Sequence, residues 1–336
     1  MNRSTHPRRT VHTRRSIRVL TAGVTTAGLV MATVGCGDTT DEASARLRVA
    51  VAFFPLAELA RNAAGSALGT AVDVVSIVPP GEQAHDFEPT PRQIDDLAGA
   101  DVVVYLGNGF QAGIEKAIDS LPAAVVRVDL LDAVELIEVG TEIGADEHGD
   151  EHADEGELDP HVWLSPRRMA TMAEEVAEVM AAALADAGDS DGAAQVRDGA
   201  AAYVTSLTAL DDEFTAGLRT CEQDILVTGH HAFGYLAADY GLTQVSISGI
   251  SPSEEPSAET LEEIADFAVT NGISTIFFEE NLPADLSRTV ADEIGATTER
   301  LDPIEAPSTE QLAAGATYVS LMGENLDALR TGLGCW

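Results

Sequence analysis

The sequence predicts an α/β protein of two lobes, each built on a parallel sheet and joined by a long rigid helix. Three observations predict it. Short apolar runs alternate with helical patterns, two long helical stretches interrupt the alternation, and the alternation then restarts in the same order. Strands that read as continuous apolar runs, separated by helices, belong to parallel sheets covered on both faces.

Residues 46–53, RLRVAVAF, read as a buried strand. Pro55 then opens a helix that Gly65 closes, Pro fitting the first turn and Gly the stop. A second strand over 71–78 ends at Pro79-Pro80-Gly81. Thr90-Pro91 caps a helix over 90–98, followed by a strand at 100–106, a helix at 110–120 and a strand at 124–128. Residues 142–159 have no apolar period and read as a loop.

Residues 166–185 and 193–218 read as two helices parted by DAGDSDG. In the second, Ala201, Val204, Leu207, Leu210, Phe214 and Leu218 recur every three or four residues. That is a rod of roughly 39 Å, long enough to join two lobes. The restarted alternation gives strands at 224–228, 243–248, 274–278 and 300–301. Helices fall at 232–240, 257–270 and 284–294, and one closing helix at 310–331. The expected boundaries are a leader over 1–35, a tether over 36–45, a first lobe over 46–191, a linker helix over 192–219 and a second lobe over 220–336. In open α/β sheets ligands sit beyond the strand C-termini, so two such edges facing each other make a cleft.

The leader carries six arginines and no acid, then a small-residue apolar run ending in Thr33-Val34-Gly35-Cys36. A basic start, a short apolar core and a small-residue cleavage site describe an export signal. Cys36 resembles the lipidated first residue of a mature bacterial lipoprotein, which places the protein on the outer face of the cell membrane, held by lipid. Removing the leader leaves 13 basic against 56 acidic residues, a net charge of −43. So acidic a surface repels nucleic acid and attracts cations. Cys221 and Cys335 remain, and in an oxidising compartment they are expected to pair.

Beyond the leader, histidine occurs in three short stretches only: His85 in GEQAHDFEP; His148, His152 and His161 in DEHGDEHADEGELDPHVW; and His230-His231 in VTGHHAF. His85, His161 and His230 each lie at or near a predicted strand end, where a shared metal ion is reachable. Neutral imidazole suits borderline ions such as zinc. Spacing alone does not choose between His230 and His231. A carboxylate is the expected fourth partner. Asp302 in Leu301-Asp302-Pro303 is preferred, with Glu279 and Glu280 as competitors or as hydrogen-bond support. Asp86, Asp159 or either glutamate is placed to orient an imidazole. The loop 146–159 holds eight acids with His148 and His152, a set suited to weak cation contacts.

At these residues the chain resembles the ZnuA/TroA-like family, the cluster A-I solute-binding proteins of zinc or manganese ABC importers. The likeness runs from about residue 46 to the C-terminus. It rests on His85 in HDFEPTP, His161 in DPHVWLSP, His230 in HHAFGYLAADYGL, Asp302 in LDP and the Glu255-Pro256-Ser257 stretch. The resemblance implies metal ligation by His85, His161, His230 and Asp302, and selects His230 over His231. It implies Zn2+ as cargo, with Mn2+ as the alternative, delivery to an ABC permease and its ATPase, and a monomer without enzymatic activity. A metal-binding surface adhesin is the competing function. A zinc hydrolase would need an open coordination position that four protein ligands do not leave.

Overall fold

The computed structural model describes residues 46–139, 158–254, 256–279 and 285–336. The expected leader, Cys36, His148, His152 and Glu280 lie outside the described residues.

Four parallel strands form the first sheet: β1 (Leu47–Val51), β2 (Val72–Ser76), β3 (Val102–Tyr105) and β4 (Val126–Asp129), in the order β2-β1-β3-β4. Helices α1 (Phe54–Ala64), α2 (Pro91–Ala98) and α3 (Ala112–Asp119) connect them. α2 begins in a capping box, Thr90 and Gln93 each satisfying the other's backbone N–H. The second lobe repeats the plan with β5 (Ile225–Thr228), β6 (Thr243–Ser246), β7 (Thr275–Phe278) and β8 (Thr297–Arg300), in the order β6-β5-β7-β8. Its helices are α6 (Gly234–Tyr240), α7 (Ala258–Thr270) and α8 (Asp285–Ile294).

Between the lobes run α4 (Pro166–Asp186) and α5 (Ser190–Gly217). At 28 residues, α5 is roughly 42 Å long. Its buried face is Ala200, Tyr203, Leu207, Leu210 and Phe214, continued by Leu218. The expected stripe began one residue off: Ala201 is exposed and Val204 only half-buried. Ala200 and Tyr203 carry the face there instead. One apolar core runs through β1, α1, α4 and α5 into Leu226, Phe277, Leu301 and the last helix, so it spans both lobes. A smaller core of Val227, Ile247, Ile264, Ile276 and Val290 lies under α7 and α8.

The expected closing helix is two. α9 (Thr309–Ala313) and α10 (Tyr318–Gly332) are separated at Gly315, whose φ of 90° a helix cannot contain. Thr317 then caps α10 through the N–H and hydroxyl of Ser320. β8 is also longer than the short strand expected, since Thr297 and Thr298 pair with Thr275 and Ile276. Cys221 and Cys335 are bonded, tying the approach to β5 to the chain end across 114 residues. A loop of that length stabilises the fold by about 4–5 kcal/mol in the chain-entropy picture. No described helix is long and apolar enough to cross a membrane.

α1 and α5 approach closely where Gly65 meets Gly199. A Cβ on Gly199 would lie 2.6 Å from the Ala63 carbonyl and 2.8 Å from the Gly65 Cα. Helix propensity alone favours Ala over Gly by about 1 kcal/mol, but crowding backbone against backbone costs about 1–3 kcal/mol. We therefore expect Gly199→Ala to lower Tm by about 2–4 °C. A raised Tm in a calorimetric scan would show that propensity outweighs the contact.

Candidate metal centre

The sequence around His161 folds so that one carboxylate fixes one imidazole. Asp159 and Pro160 precede it, a 3-10 turn over Val162–Leu164 follows, and Ser165 caps α4. Asp159 Oδ1 accepts from both the backbone N–H of His161, at 2.9 Å, and its ring Nδ1, at 2.8 Å. A carboxylate only accepts, so Nδ1 is the donor and the lone pair is left on Nε2. The second lobe builds the same device. His230 lies two residues past β5, and Glu279 lies one residue past β7. Glu279 Oε1 accepts from the His230 backbone N–H at 3.2 Å and from its Nδ1 at 2.6 Å.

His85 sits in the loop between β2 and α2, its ring edge-on to Phe110 at 4.6 Å between centroids. Buried Gln111, just before α3, holds the neighbouring Ala84 carbonyl at 3.1 Å. His161 and His230 are fully buried, and His85 keeps slight exposure. A cleft of about 200 Å³, lined by His85, Asp86, Asn108, Ser251 and Glu254 among others, opens against it. A groove of about 660 Å³ beside α9 and α10 shares no residue with this cluster.

His85, His161 and His230 converge, and the carboxylate that meets them is Glu305. The expected Asp302 does not: its Oδ1 is taken by the Ile304 N–H at 2.7 Å, closing a tight turn. Within the turn Ile304 has φ 60°, a conformation rare for a β-branched residue. The turn carries Glu305 round to the imidazoles. Glu279 serves as the orienting partner of His230, the supporting role already considered for it. One more expectation needs correction: among the described residues His230 lies two residues past a strand, whereas His85 lies nine residues past β2 in its loop and His161 opens the 3-10 turn. Glu305 was missed, although the sequence held one signal: it is a charge in the otherwise apolar run Ile304-Glu305-Ala306, and a buried charge needs a partner.

The cluster's dimensions are specific. Nε2 of His85 and His161 are 3.3 Å apart. Oε1 of Glu305 lies 3.4 Å from Nε2 of His85 and 3.6 Å from Nε2 of both His161 and His230. Edges of that length belong to a tetrahedron with centre-to-corner distances of roughly 2.0–2.2 Å, the range of zinc–nitrogen and zinc–oxygen bonds. Nε2 of His230 and Oε1 of Glu305 are buried without a hydrogen-bond partner among the described residues. Both face the centre, where a divalent cation would satisfy them.

Protonation follows from the surroundings. Burial outweighs the Asp159 contact and pushes His161 down to about 4, so it is neutral near pH 7. Burial also opposes charge on His230, but Glu279 and Glu305 prevail and hold it up to about 10. Glu305 is held well below the usual carboxylate range: burial works against its charge, and His85 and His230 favour it more strongly. Burial raises Asp302, against the Ile304 N–H bond, which favours its charged form. Without metal, a proton on His230 therefore offsets part of the carboxylate charge.

A sequence profile described as "Zinc-uptake complex component A periplasmic" (ZnuA) matches residues 49–332. Over 290 residues, 86% of this chain and 56% of the relative, the chain is 35% identical to the zinc-binding lipoprotein AdcA of Streptococcus pneumoniae serotype 4. The chain thus spans little more than half the length of the streptococcal relatives it matches. It is 34% identical over 313 residues to the high-affinity zinc uptake system protein ZnuA of Bacillus subtilis, covering 91% of this chain and 95% of that one. Among solved structures, the Zn(II)-bound ZnuA-like domain of S. pneumoniae AdcA superposes with a TM-score of 0.69 at 32% identity, covering 86% of this chain and 99% of the other.

Metal ligation by His230 must displace its proton. We expect binding near pH 7 to release about one proton from this residue. Apparent affinity should rise about tenfold per pH unit between roughly pH 7 and 9, since His230 stays protonated until about 10. Titration calorimetry in buffers of different ionisation enthalpy measures the release, and a heat independent of buffer would contradict it.

Proposed function

The chain belongs to the ZnuA family of zinc-uptake components, and on that premise we propose that it captures Zn2+ outside the cytoplasm and hands it to a membrane ABC permease with its ATPase. The inner donors of this reading are His85, His161, His230 and Glu305. The carrying observation is the convergence of these four side chains within 4.8 Å of one another, Glu305 lying 3.4–3.6 Å from all three imidazoles. Four protein donors leave no place for an activated water, so the chemistry is binding and release. Three imidazoles and one carboxylate suit zinc, whereas manganese prefers oxygen donors and higher coordination.

Asp159 and Glu279 complete the electrostatics. With Glu305 they set three carboxylates against one divalent charge, and each fixes the tautomer of an inner imidazole. The acidic balance, net −37 over the whole sequence, attracts cations to the protein. A lipid on Cys36 would hold the protein at the outer membrane face, in keeping with the lipoprotein named among its relatives. Delivery to a permease then needs no free diffusion through the medium.

Calorimetry on single variants tests the ligand set. We expect His161→Ala and Glu305→Gln each to weaken zinc binding by at least 100-fold while the protein stays folded, as loss of an inner donor should exceed the 10–100-fold typical of outer partners. Asp302→Asn should have a smaller effect, because its carboxyl serves the turn. Unchanged affinity in Glu305→Gln together with collapse in Asp302→Asn would reverse the carboxylate assignment.

A further inference from the structure

Zinc capture is the premise of this inference, which concerns how the same site discriminates between ions. The inner donors project from separate stretches of chain, so their spacing depends on how those stretches are tied. Trp163, two residues past His161 and fully buried, donates its indole N–H to the Pro303 carbonyl at 2.8 Å. Pro303 lies two residues before Glu305. The Trp163 carbonyl in turn accepts from the Tyr318 hydroxyl at 2.6 Å, at the start of α10.

The same helix supplies Asn325. Its side chain accepts from the Asp302 N–H at 2.8 Å and donates to the Asp302 carbonyl at 2.6 Å. Asp302 holds Ile304 in its left-handed conformation. A strained residue of this kind persists where its surroundings over-determine it. Trp163, Tyr318 and Asn325 are not among the four donors, yet each fixes backbone from which a donor projects.

We propose that Trp163, backed by Tyr318 and Asn325, is a positioning and specificity-determining residue for the metal centre. Its indole bond couples the His161 stretch to the Glu305 turn and holds that edge at 3.6 Å. A small four-coordinate ion fits the edge. An ion that seeks more oxygen donors at longer distances, such as Mn2+, requires the two stretches to separate. Buried hydrogen bonds on both sides of Trp163 resist that separation. The ring packs on Phe53 and Phe110 at 4.9 and 5.3 Å between centroids, so a phenylalanine in its place retains aromatic packing and loses the N–H.

The test uses the full chain and two variants, Trp163→Phe and Tyr318→Phe, the second removing only a hydroxyl. Zn2+ and Mn2+ affinities are measured by competition titration, and the visible spectrum of the Co2+-loaded protein reports coordination number. We expect zinc affinity to fall about 10–100-fold in each variant. Manganese affinity should fall less, so that the ratio narrows, and the Co2+ bands should weaken toward a higher-coordinate spectrum. Equal losses for both metals, or none, with an unchanged Co2+ spectrum would overturn the proposal. Failure of the unmodified chain to bind zinc at His161 would instead sink the capture function, a separate result.

Discussion

The structure turns on one costly arrangement: three imidazoles and a carboxylate buried against one another. An unsatisfied buried polar group costs about 1–3 kcal/mol. Here Nε2 of His230 and Oε1 of Glu305 face each other at 3.6 Å, and neither has a hydrogen-bond partner among the described residues. One divalent ion at the centre would relieve these costs together. The carboxylates of Asp159 and Glu279 prepare for it by fixing each Nδ1–H and aiming Nε2 inward. The two buried imidazoles nonetheless differ in charge. At His161 burial outweighs Asp159 and the neighbouring His85 and His230 oppose a further positive charge, whereas at His230 Glu279 and Glu305 outweigh burial.

The fold makes that arrangement affordable by holding its pieces from both lobes. A single apolar core links β1 and α1 to α10 through α5. Polar ties cross the same boundary beside the site. The Tyr235 hydroxyl donates to the Asp159 carbonyl at 2.7 Å and accepts from the Ile137 N–H at 3.2 Å. Asp239 on α6 binds Ser165 and Arg168 at the start of α4. The stretch that orients His161 is therefore fastened to the second lobe. Wide separation of the lobes would expose apolar core and break several buried hydrogen bonds at once.

Much of this was legible in the sequence because it rests on local rules. Alternating apolar runs marked both parallel sheets, and Pro, Gly and Ser/Thr caps bounded most helices. Scarcity of histidine pointed to His85, His161 and His230. The failures came where tertiary context outweighs local pattern. Ala200 and Tyr203 take the inner positions of α5 where Ala201 and Val204 were expected, while Leu207, Leu210, Phe214 and Leu218 fall as expected. The last helix reads as continuous until Gly315 adopts a left-handed φ. Glu305 was hidden because Asp302 sits nearer the strand end, and only the turn at Ile304 shows that the later carboxylate swings inward. Such a turn depends on Asn325, 23 residues beyond Asp302, and no local pattern announces it.

X-ray absorption at the zinc edge, on protein loaded with one equivalent of Zn2+, examines the four-donor centre most directly. We expect four light donors at about 2.0–2.1 Å, with the outer-shell scattering of three imidazole rings and a first shell altered by Glu305→Gln. A shell of six donors at longer distance, or fewer than three imidazoles, would contradict it.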